Sequence, residues 1–137
     1  MRSKPVVLLT VAAALLIQGP VFAHHSSAAF DSGKKVILKG TVTEWVYSNP
    51  HCMLILEVKG TDGQMVQWTT ETQPPASIFP VGYRRDSFKA GDQVTITVEP
   101  FKDGRPYGRI VAAVLADGKI LGPATSPPSN AGAPPQP

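Results

Sequence analysis

The sequence predicts an all-β fold: a small five- to six-stranded OB-like barrel (oligonucleotide/oligosaccharide-binding type) with one short helical turn, following an N-terminal signal peptide. Three observations predict it. Apolar and polar residues alternate through residues 35–121, the period of a half-buried strand. Asp-Gly pairs such as Asp62 with Gly63 and Asp103 with Gly104 break the alternation where hairpin turns need positive φ. The order is three strands, a short helical connection and two more strands, which suits a sheet that closes on itself and hides its edges. A small open sandwich is the alternative, and neither architecture dictates a function.

The elements follow in chain order. Arg2 and Lys4 give a positive start, residues 6–17 an apolar run of 12, and Val21 to Ala23 small residues for a signal peptidase. That run is too short to span a bilayer, no second one follows, and no cysteine near the cut offers a lipid anchor. A soluble exported protein is expected, periplasmic, with no transmembrane segment after cleavage. Residues 1–23 are then the signal peptide, 24–34 an N-terminal arm, 35–121 the barrel domain and 122–137 a tail. The tail has six prolines and no charge, and disorder is expected there.

Within the barrel, "KKVILKGTVTEWVYS" places Val36, Leu38, Val42 and Val46 on one face, with Lys39, Thr41, Thr43 and Trp45 on the other. "SNP" (Ser48 to Pro50) interrupts it, because proline removes a ladder donor and asparagine favours turns. "HCMLILEVKG" then aligns Cys52, Leu54, Leu56 and Val58. A turn at Thr61 to Gly63 leads into "QMVQWTTE", and "QPPASIFP" is the helical turn, its prolines placed where a missing N–H costs little. "KAGDQVTITVEPF" is a further strand and "GRIVAAVLADGKIL" the last strand or a tight pair.

Charge and cysteine content narrow the function classes. The full chain has 13 basic and 10 acidic residues, and cleavage removes two of the basic ones, leaving 11 against 10. A nearly neutral domain is not expected to bind nucleic acid, whose partners carry a pronounced basic face. Cys52 is the only cysteine, so no disulfide staples the fold, and its plain reading is a small apolar residue buried in a strand.

"AHHSSAAFD", "VILKGTVTEWVYSNPHCMLILEV", "RRDSFKAGDQVTITVEPFKDG" and "LADGKIL", in that order and spacing, resemble a family of small bacterial exported proteins, the domain of unknown function 6152 (DUF6152). The resemblance runs from His24 to Leu121. It implies a periplasmic address and a compact β domain, and no activity. Typical members carry the His-His-Ser start and the Asn-Pro-His turn, here His24, His25, Ser26 and Asn49, Pro50, His51. This chain departs from them in Cys52 and Met53 after the turn and in its proline-rich end.

All three histidines of the chain lie in those two motifs. Cleavage after Ala23 gives His24 a free α-amine beside its own imidazole, and the two can chelate one metal. A second imidazole from His51 would complete a three-nitrogen histidine brace. Alternatively, His25 would bind together with the amine and a deprotonated backbone amide. Both sets favour Cu(II), with Met53 as a soft sulfur suited to Cu(I), so copper is the candidate cofactor. Zinc fits less well without paired cysteines. The ordinary readings are a solvated chain start for His24 and His25, a polar turn residue for His51 and simple packing for Met53.

Other features carry less. Trp45, Tyr47 and Trp68 offer an aromatic surface, though two of them are expected to pack on the barrel. Arg84, Arg85 and Asp86 read as a surface ion pair, with an anion or partner contact as the sharper reading. Glu44, Glu57 and Glu71 suggest no acid/base pair, Ser26 and Ser27 lack a nucleophile elbow, and no catalytic residue is assigned. Three functions stand: a non-catalytic binding protein that takes copper through the N-terminal histidine, a ligand- or protein-binding barrel with no metal, and, last, a copper-dependent oxidative enzyme. The partner is an unidentified periplasmic protein or small ligand.

Overall fold

The computed structural model describes residues 27–123. Residues 1–23, expected to be a signal peptide, then His24, His25 and Ser26, and the expected tail from residue 124 lie outside the described residues. The strands are β1 (Val36–Val46), β2 (Cys52–Lys59), β3 (Met65–Thr72), β4 (Gln93–Pro100), β5 (Tyr107–Val114) and β6 (Ile120–Leu121). One helical turn, α1 (Pro75–Ile78), joins β3 to β4 and continues as a tighter turn over Phe79–Val81. Proline at its first position supplies the fixed φ and gives up an N–H that no helix bond would use.

The sheet runs β3-β2-β1-β4-β5, antiparallel throughout, and β3 returns to pair with β5 in parallel through Thr69, Thr70 and Glu71. That seam closes a five-stranded barrel, with β6 added on β5. The barrel is the one expected. Its interior is apolar: Leu38, Val42, Leu54, Leu56, Ile96, Val98 and Ala113 fill it. Thr70 is fully buried among them, and its hydroxyl donates to the Leu54 carbonyl at 2.9 Å. Cys52 is fully buried among these side chains, as its plain reading requires.

Two close approaches require glycine. A Cβ at Gly40 would lie 2.5 Å from the Glu57 carbonyl oxygen across β1 and β2. At Gly108 it would lie 2.9 Å from the Val98 Cβ across β4 and β5.

One strand departs from the simple alternation. Val42 faces Leu56, but the next pair is Glu44 with Ile55, so a bulge absorbs Thr43. The extra residue reverses the phase of everything after it. Trp45 therefore faces Leu54 and the core, while Val46 faces Met53 on the outer surface, the opposite of the expected assignment. Trp45 rests edge-on against Phe88 at 5.0 Å and beside Tyr83 and Tyr47, plugging one end of the barrel. Its indole N–H donates to the Arg84 carbonyl at 3.0 Å.

Candidate functional site

His51 sits in the link between β1 and β2, after the cis Asn49–Pro50 peptide bond, and is half-buried. Its Nδ1 lies 3.1 Å from the Thr72 carbonyl oxygen at the end of β3. A carbonyl only accepts, so Nδ1 carries the hydrogen in this contact, and the Nε2 of the neutral ring keeps its lone pair. Such an anchored imidazole is the form in which histidine ligates metals. Met53 follows in β2, half-buried, opposite Val46 on one side and Glu71 on the other. His24 and His25 are outside the described residues. Among the described residues no three His, Cys, Asp or Glu side chains gather as a metal-binding group.

The arm is seated on the barrel. Phe30 is 3% exposed, and it bridges Phe101 as a short antiparallel pair just past the end of β4. Backbone bonds pin it there: the Asp31 N–H to the Pro100 carbonyl at 2.8 Å and the Lys102 N–H to the Ala29 carbonyl at 3.0 Å. The Phe30 ring meets Phe101 edge-on at 4.6 Å and Tyr107 at 6.3 Å. The Arg109 guanidinium lies 5.0 Å from the Phe30 ring centre, an arrangement in which cation and π face attract.

A charged network underlies that seat. Glu99 on β4 accepts from Arg109 Nε at 3.0 Å and Nη2 at 2.5 Å, and also from Lys35 at the foot of β1. Burial alone would raise the Glu99 carboxyl; the hydrogen bonds and positive charges of Lys35 and Arg109 outweigh it and hold the carboxyl below its ordinary value. On the other side of Arg109, Glu71 pairs with it in register across the seam and accepts the Tyr107 hydroxyl at 2.5 Å. Glu71 and Glu99 thus flank one arginine on adjacent strands, a juxtaposition that alternation along single strands cannot reveal.

Two surface expectations change. Arg84 donates to the Phe79 and Tyr83 carbonyls at 2.7 and 2.8 Å and lies over the Phe79 ring, and Arg85 lies over the Tyr47 ring. The arginines of "RRD" thus meet carbonyls and rings; no salt bridge involves them among the described residues. Trp45 and Tyr47 belong to the plug at the barrel end, and Trp68 packs on the core from β3. No shared aromatic surface joins the three.

A family model described as a family of unknown function (DUF6152) matches residues 12–110. The chain belongs to the DUF6152 family. The DUF6152 match takes in the His24-His25-Ser26 start, the Asn49-Pro50-His51 turn, the Phe30 seat and the seam residues Tyr107 to Arg109, and it stops before β6. No curated protein and no solved structure matches the chain significantly. No helix among the described residues is long and apolar enough to cross a membrane.

Proposed function

We propose that this DUF6152 protein is an exported, non-catalytic periplasmic binding module that holds one copper ion at its mature amino terminus. The ligands are the His24 α-amine, the deprotonated His25 backbone amide and the His25 imidazole, which together form fused five- and six-membered chelate rings. Three nitrogens in a plane suit Cu(II) and leave a fourth equatorial position open.

The seat of Phe30 supports a compact set, because it fixes the chain on the barrel shortly after two adjacent residues that carry all three ligands. Phe30 pairs with Phe101 just past β4, whereas His51, in the link between β1 and β2, bonds to Thr72 at the end of β3. The brace has its own support in the anchored His51 ring with its free Nε2.

The two sets separate by mutation. His51→Ala should leave copper affinity unchanged, whereas one extra residue before His24 should weaken it at least tenfold. Isothermal titration of the untagged mature protein reads both. Loss of affinity in His51→Ala would favour the brace, and no copper binding by the wild type would favour the metal-free ligand-binding barrel.

A further inference from the structure

We infer that the end of the barrel carrying Phe79, Arg84 and Arg85 is a docking surface for an acidic segment of a partner protein, with the Arg84 guanidinium gripping one carboxylate side-on. No copper enters this contact. Arg84 is exposed, yet it is held at both its backbone and its head group. Its backbone N–H donates to the Ser87 hydroxyl at 2.7 Å, and its carbonyl accepts from the Ser87 N–H at 3.1 Å and the Trp45 indole at 3.0 Å. Its Nη1 donates to the Phe79 and Tyr83 carbonyls at 2.7 and 2.8 Å, and the guanidinium lies 3.7 Å from the Phe79 ring centre. An arginine left to solvent samples many rotamers. This one has already given up that freedom, so a ligand need not order it.

The unused edge of the guanidinium decides the ligand. Nη1 is taken by carbonyls, and the Nε–H and Nη2 fork has no hydrogen bond among the described residues. The parallel donors of that fork match the two oxygens of a carboxylate. Arg109 uses the same two nitrogens to hold Glu99 in this protein. Asp86, two residues on, does not fill the fork: among the described residues no salt bridge involves Arg84 or Arg85. Arg85 adds a second positive charge, 5.5 Å from the Tyr47 ring, and the Tyr47 hydroxyl donates to the Pro75 carbonyl at 3.5 Å. Phe79 itself is 53% exposed, a large apolar side chain left in water beside these cations. Two cations and an exposed ring complement a segment in which carboxylates flank an apolar side chain.

Nuclear magnetic resonance of the isotope-labelled exported protein tests this, because an arginine Nε–H gives its own signal. The probe is a blocked peptide, acetyl-Glu-Leu-Glu-amide, and the controls are acetyl-Gln-Leu-Gln-amide and inorganic phosphate. The glutamate peptide should shift the Arg84 Nε–H and the Phe79 and Arg85 amides saturably, and the glutamine peptide should bind about tenfold more weakly. Arg84→Lys keeps the charge and loses the fork, so it should also weaken binding about tenfold. An unmoved Trp45 indole signal in that variant shows that the turn it bonds to is intact. Phe79→Ala should weaken binding severalfold by removing the apolar contact. A glutamate peptide that leaves the Arg84 signal unmoved overturns the proposal, and so does equal affinity for the glutamine peptide. Undiminished binding by Arg84→Lys overturns it too, or by Phe79→Ala should the lysine variant fail to fold. Phosphate that shifts the same signals as tightly as the glutamate peptide also overturns it, because the surface would then read any anion.

Discussion

Tyr107 on β5 donates its hydroxyl to the Glu71 carboxylate on β3 at 2.5 Å, across the parallel seam that closes the barrel. Glu71 is 8% exposed, so this contact supplies a donor to a carboxylate largely withdrawn from water. Burial, then the hydrogen bond and charge of Glu71, push the Tyr107 hydroxyl far above its ordinary range. Tyr107 consequently remains a donor at any pH the protein meets.

Removing that hydroxyl leaves a buried acceptor short of a partner. Tyr107→Phe should cost about 1–3 kcal/mol in urea unfolding, the usual penalty for such a group. A loss below about 0.5 kcal/mol would mean that the backbone ladder alone holds the seam.

Acid should loosen the arm. The Glu99 carboxyl is depressed below its ordinary value of 4.5 in the folded protein. Its contribution to stability is therefore present above the unfolded value and is lost as pH falls through the folded one. Stability should decline as pH drops below about 4.5, and Glu99→Gln should flatten that decline. Identical acid limbs in the two proteins would remove Glu99 from the account.

Glycine is required where strands approach too closely for a side chain. Gly40→Ala and Gly108→Ala should each destabilise by about 1–3 kcal/mol, because the obstacles are the Glu57 carbonyl and the Val98 Cβ and not the free end of a side chain. Gly91, with nothing near its Cβ position, is no control because its φ is +94°. Gly33→Ala serves instead: it meets one carboxylate oxygen at 3.5 Å, and its effect should be under about 0.5 kcal/mol.

Cys52 should be inert in the native state. The thiol is fully buried, and burial raises it above its ordinary value, with the Ser48 carbonyl only partly opposing. A thiol reagent should label it only at the rate of unfolding. Rapid labelling in native buffer would contradict the core described for β2.

The barrel was legible because its signals are local. Alternation, Asp-Gly turns and the proline-led helical turn each need only a few neighbouring residues. Trp45 was misplaced because a bulge at Thr43 depends on how β1 meets β2, and nothing in "GTVTEWV" alone requires the extra residue. The seam and its charges were hidden for a related reason: Glu71, Arg109 and Glu99 are brought together by closure of the sheet, not by spacing along the chain. Phe30 left a fainter signal, a lone large apolar side chain in an otherwise small and polar arm. That signal was not used in reading the arm, and the structure shows Phe30 buried at its seat on Phe101.

Copper held at a free mature terminus is open to one measurement, native mass spectrometry. The untagged protein is exported to a periplasm, supplied with one equivalent of Cu(II), and compared with a form carrying one extra residue before His24. With copper held there, the mass begins at His24 and retains one copper, which the extended form loses. A chain starting elsewhere, no retained copper, or equal retention by the extended form would contradict it.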